Sequence, residues 1–90
     1  MGSFLFMDFT VYILFSVTIN TYYTGHTGEA ISERLRKHNS NHKGFTRKVN
    51  DWTLVYAEKY QEKKEAFRNE REIKAKKSRT YIEGLIAKDK

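Results

Sequence analysis

The chain has 90 residues, no cysteine, no proline and a formal charge of +6. That length holds one domain at most, with a thin core, and the missing cysteines exclude a disulfide frame and a thiolate zinc knuckle. The charge excess gathers late: Lys59 to Arg79 carries nine Lys or Arg against four Glu, which favours nucleic acid or an acidic membrane surface over a solvated helix face alone. An absence of cysteine fits a reducing, cytoplasmic setting.

Met1 to Asp8 is expected to be a flexible lead, with one domain spanning residues 9–87. The apolar stretch to Ile19 is broken by Asp8, Thr10, Ser16 and Thr18 and has no basic start, so it predicts neither a membrane span nor a signal peptide. Phe9 to Val17 is rich in β-branched and aromatic residues and predicts a strand. A turn over Thr18–Thr21 uses Asn20, which tolerates unusual φ. Tyr22 to Thr24 returns as the second strand of a hairpin, ended by Gly25.

From Glu29 to Asn39 the pattern is helical, with Ile31 and Leu35 on one face and the basic residues late, as the helix dipole prefers. Asn39 to Gly44 is a polar loop. Trp52 to Tyr60 alternates, with Trp52, Leu54 and Tyr56 on one side, and predicts a strand with a fully buried face. Glu62 to Lys76 predicts a second helix with Ala66, Phe67 and Ile73 as its apolar residues, and Ser78 caps a last short helix. The expected class is α+β: a three-stranded antiparallel sheet flanked by helices, in the order ββαβαα.

Several of these residues suit phosphodiester hydrolysis. That reaction needs a water deprotonated, a pentavalent anion stabilised and a leaving oxygen neutralised. Carboxylates that could cluster around metal are few here, so a single-carboxylate scheme is required. Arg34 and His38 lie four apart on one helix face, where an arginine fork meets phosphate and a histidine titrates near neutral pH. Read alone, each residue has an ordinary account: Tyr12 and Tyr23 as a hairpin aromatic pair, Arg34 and His38 as a solvated helix end, Glu70 as an exposed partner of Lys74.

The motifs Val11-Tyr12-Ile13 and Tyr23-Thr24-Gly25, followed by Arg34, His38 and the Glu70-Arg71-Glu72-Ile73-Lys74 stretch, resemble the GIY-YIG nuclease superfamily, in its small single-domain bacterial branch. The resemblance covers about Phe9 to Ile86. It implies a metal-dependent DNA endonuclease in which Tyr12 is the base, His38 relays its proton, Arg34 and Tyr23 engage the phosphate, and Glu70 holds Mg²⁺ or Mn²⁺. Gly25 and His26 would lie against the phosphate. Three features depart from the family pattern: Thr10 stands where the first motif has glycine, His26 where many members carry lysine, and Lys76 to Thr80 holds no asparagine. A non-catalytic nucleic-acid-binding module with the same fold is the alternative implied. His42 and Lys43 are loop residues placed to meet DNA backbone, or a plain surface loop. DNA is the expected partner, a membrane is not, and oligomeric state is not legible.

Overall fold

A computed structural model describes residues 8–40 and 44–88; most of the expected lead, and the loop residues His42 and Lys43, lie outside the described residues. Strands β1 (Phe9–Ser16) and β2 (Thr21–Thr27) form a hairpin, followed by helix α1 (Ile31–Asn39), a short 3-10 turn (Phe45–Lys48), strand β3 (Thr53–Tyr60), and helices α2 (Lys63–Lys76) and α3 (Arg79–Lys88). The sheet is antiparallel in the order β2-β1-β3, so the expected α+β plan in the order ββαβαα is borne out.

The central strand is the apolar one for a physical reason. Flanked by strands and covered on both faces, β1 must bury side chains in both directions, and Val11, Tyr12, Ile13 and Leu14 are all buried. Full burial of an Ile or Leu side chain contributes about 2 kcal/mol. Odd-numbered β1 residues Val11 and Ile13 pack with Ala66 and Ile73 of α2, with Ile82 and Leu85 of α3 at the edge of this cluster. Even-numbered Tyr12 and Leu14 pack with Trp52, and with Ile31 and Leu35 of α1. The sheet therefore separates two small cores, one under α1 and one under α2 and α3.

Two expectations are corrected. β3 has no fully buried residue; it is an edge strand, and its pairing with β1 slips between Ile13 and Leu14, where Ile13 faces Tyr56 but Leu14 faces Leu54. Val55 is the extra residue of that bulge, so Trp52 and Tyr56 fall on opposite sides of the sheet and join different clusters. Likewise, Gly25 does not end the hairpin strand: β2 runs on to Thr27, with Gly25 opposite Tyr12.

The hairpin turn and helix ends are held by polar contacts. Asn20 takes the positive φ of 52° that its position in the turn demands. Asp51 accepts hydrogen bonds from Ser16 Oγ (2.6 Å), Thr18 N (3.0 Å) and Thr18 Oγ1 (2.8 Å), tying the chain before β3 to the end of β1. Ser78 caps α3 as expected, its Oγ accepting from Tyr81 N at 3.1 Å.

Candidate active site

Tyr12 lies mid-strand on the α1 side of the sheet, and its phenol reaches across Gly25 of the neighbouring strand. A Cβ on Gly25 would lie 2.7 Å from Tyr12 Oη and 2.9 Å from its Cζ. Only glycine leaves that space, so the second motif's glycine serves the first motif's tyrosine. Tyr12 Oη is 2.8 Å from His38 Nε2, and Arg34 Nε donates to the same oxygen at 3.4 Å. The i, i+4 spacing on α1 delivers both side chains to one atom. Arg34 is the partner that reaches solvent, with its side chain 37% exposed.

His38 is buried rather than solvated at a helix end, and both its ring nitrogens are engaged. Its Nδ1 is 2.9 Å from Thr46 Oγ1. The tautomer follows from counting donors. Arginine can only donate, so the Tyr12 hydroxyl hydrogen has His38 Nε2 as its acceptor among these contacts. Nδ1 then carries the ring hydrogen and donates it to Thr46. Burial, and secondarily the Arg34 charge, lower the His38 pKa to about 4. Burial also raises the Tyr12 phenol above its ordinary value, against the opposing pull of Arg34. The resting pair is thus a neutral phenol bonded to a neutral imidazole.

Tyr23 is not directly opposite Tyr12; it faces Leu14 and sits diagonally from Tyr12 on the same face. The expected cross-strand tyrosine pair is instead two rings meeting one histidine. Tyr23 stands edge-on to His38 with centroids 5.1 Å apart, and the Tyr12 centroid is 5.7 Å from His38.

Glu70 belongs to the buried stripe of α2, with Ala66 and Ile73. It pairs with Lys74, as i, i+4 spacing predicts, but it is buried and not exposed. Lys74 Nζ is 2.6 Å from Oε2, while His26 Nδ1 holds Oε1. His26 faces Val11 in the hairpin register, so it points to the α2 side while Tyr12, Tyr23 and Gly25 share the α1 side. The two groups meet around the β2 edge. Lys74 spans them, its Nζ lying 5.9 Å from the Tyr23 ring centroid, and the Glu70 charge adds to the upward shift on Tyr12. Tyr12, Arg34, His38 and Tyr23 are thus in contact, and Glu70 with His26 stands beside them across Lys74.

The model of the GIY-YIG catalytic domain matches residues 8–82, most of the chain. The chain belongs to the GIY-YIG family. No curated protein and no solved structure matches it. The family is one of endonucleases, so a nuclease-type function with DNA as substrate follows at that level. Among the described residues no helix is long and apolar enough to cross a membrane.

In this GIY-YIG domain, no group of three or more His, Asp or Glu converges among the described residues. Glu70 is a buried carboxylate beside the Tyr12 cluster, across Lys74, and its donor chemistry fits a hard divalent cation that takes its other ligands from water and substrate oxygens. The ammonium on Oε2 belongs to Lys74, whose side chain is half exposed.

Two residues that sequence reasoning missed hold the GIY-YIG site together. Thr46 fixes the His38 ring, and Trp52 Nε1 donates to the Thr46 carbonyl at 2.9 Å. Asn39 clamps the backbone of Trp52, donating from Nδ2 to its carbonyl (3.0 Å) and accepting from its N–H (2.7 Å). Thr46 follows a glycine loop with no periodic signal, and only the fold brings it under α1.

Proposed function

We propose that the chain is a metal-dependent endonuclease that hydrolyses DNA phosphodiester bonds with the Tyr12 oxygen as proton acceptor. The observation that carries this reading is the Tyr12 hydroxyl held between His38 and Arg34. A phenol is a poor base near neutral pH, and burial makes its ionisation harder still. It accepts a proton from water only if it passes its own on. His38 Nε2 stands at 2.8 Å to take that proton once the negative charge of the bound phosphate offsets the burial and the Arg34 charge that keep the resting ring neutral, and Thr46 keeps the ring aimed.

In this scheme Arg34 draws the phosphate to the rim and stabilises the charge that grows on the Tyr12 oxygen as its proton leaves. Tyr23 contacts a phosphate oxygen from the same face. A Mg²⁺ or Mn²⁺ ion held by Glu70 would neutralise charge on the phosphate and on the departing ester oxygen. The incoming water oxygen bonds to phosphorus, the opposite P–O bond breaks, and the leaving oxygen takes its proton from solvent. His26 orients Glu70 and, with Gly25, is proposed to lie against the phosphate.

Nicking of supercoiled plasmid with Mg²⁺ or Mn²⁺, compared between the native chain and Glu70→Gln, tests the reading. Metal-dependent nicking should fall at least a hundredfold in the variant. Equal nicking by both proteins sinks the Glu70 assignment, and no nicking by either across metals and DNA forms leaves a binding module.

A further inference from the structure

Two exposed phenyl rings bracket the site. Among the described residues the large exposed apolar side chains are Val17, Phe45, Leu54, Phe67 and Tyr81. Phe45 and Phe67 each touch a site residue. Phe45, 42% exposed, lies nearly parallel to Tyr23, with centroids 6.3 Å apart and planes 12° off. Phe67, 46% exposed, stands edge-on to His26 at 5.6 Å.

Each ring also carries a cation. Lys48 Nζ is 4.6 Å from the Phe45 centroid, and the Arg71 guanidinium carbon is 5.5 Å from that of Phe67. Phe67 was expected among the apolar residues of α2, yet Ala66 and Ile73 do the burying. Phe67, Glu70, Arg71 and Lys74 follow i, i+3, i+4, i+7 spacing and so form one helix stripe. An open, shallow depression of roughly 350 Å³ lies along α2 beside this stripe, lined by Phe67, Arg68, Arg71, Glu72 and Ala75. That is space enough for a nucleobase.

We propose that Phe45 and Phe67 are stacking platforms for unpaired nucleobases on the two sides of the cleaved phosphate. The substrate class is therefore DNA that is single-stranded or carries unpaired nucleotides at the cut. The inference rests on the phosphodiesterase reading above. In a duplex the base faces are used up by their neighbours, and a phenyl ring beside the phosphate would meet only sugar and charge. An unpaired base has a free π-face, and stacking it on an aromatic ring is worth about 1–3 kcal/mol. A stacking base takes the place of the cation over each ring, and the displaced Lys48 and Arg71 then meet the phosphates that flank it. Two rings joined to the site through Tyr23 and His26 are also not the scattered single hydrophobes of an ordinary surface.

Binding in EDTA separates this from the cleavage reading. Fluorescence anisotropy at one fixed salt concentration compares a single strand, a blunt duplex, and a duplex with an unpaired bulge carrying 2-aminopurine. Unpaired DNA should bind about tenfold tighter than duplex, and the 2-aminopurine emission should drop on binding. Phe45→Leu and Phe67→Leu keep an apolar side chain; each should bring the preference towards one and restore emission. Equal affinity for duplex and unpaired DNA in the native chain overturns the proposal, as does equal weakening of both by the Leu variants. In either case metal-dependent plasmid nicking still stands for the nuclease reading. Failure to bind any DNA overturns both.

Discussion

The Tyr12 half of the site and the Glu70 half are held in different ways. Tyr12 sits on the central strand and His38 on α1, both buried, and the bonds that link Tyr12 to His38 and His38 to Thr46 run between neutral groups. Glu70 sits on a helix, and its partners are a half-exposed lysine and a histidine at 22% exposure. The difference follows the work proposed for each half. Proton transfer needs a fixed donor–acceptor line out of water. Charge stabilisation needs a carboxylate whose resting counter-ion can be exchanged for another cation. Substitutions on the Tyr12 side should therefore act through geometry, and those on the Glu70 side through charge.

The largest effect is expected from Tyr12→Phe. It removes the one oxygen shared by His38 and Arg34 while keeping the ring in the core. Nicking should fall about a thousandfold, within the range for loss of a general base, with a near-native circular dichroism spectrum. Lys74→Gln removes charge at the other half and should change nicking less than tenfold. Comparable losses in the two variants would erase the contrast.

Gly25→Ala comes next, because its Cβ meets both Tyr12 Oη and Cζ inside 3 Å. Overpacking of that kind costs about 1–3 kcal/mol, so the urea midpoint should fall together with activity. Combining it with Tyr12→Phe removes the closer clash, and part of the lost stability should return. A double-mutant cycle with no coupling would mean that the two motifs do not depend on each other through this contact.

Much of this was legible in the sequence, for identifiable reasons. The hairpin and helices carry strong periodicity and turn chemistry, and motif order carried Tyr12, Tyr23, Arg34, His38 and Glu70. What escaped depends on register. The bulge at Val55 is invisible to an alternation count, which places Trp52 and Tyr56 on one face. Gly25 reads as a strand end until its partner is known to be Tyr12. Asn39 and Thr46 act across loops, by contacts that no local pattern encodes.

Acid should expose the Tyr12 half as well. In the unfolded chain His38 titrates near 6.5, whereas in the fold burial holds it at about 4. The unfolded state thus takes up the proton first, and stability is fully present above pH 6.5 and lost as pH falls towards 4. The slope is about 1.4 kcal/mol per pH unit, or about 2 kcal/mol by pH 5. Urea titrations at pH 7.5 and 5 should show this loss in the native chain and a smaller one in His38→Gln. Equal acid sensitivity in both would assign the effect elsewhere.

The smallest effect, and the sharpest, is expected at Thr46. Its hydroxyl contributes no charge, and its role in the proposed reaction is to accept the His38 Nδ1 hydrogen and so leave Nε2 open to the Tyr12 proton. Thr46→Val keeps the shape but removes the acceptor, leaving a buried N–H unsatisfied or the ring free to change tautomer. Cleavage should slow about tenfold in kcat, with KM for DNA little changed, because no substrate contact is lost. Thr46→Ser restores the hydroxyl and should restore the rate. A purely structural threonine would instead lower stability in Thr46→Val with kcat intact, and Thr46→Ser would fail to separate the two variants in rate.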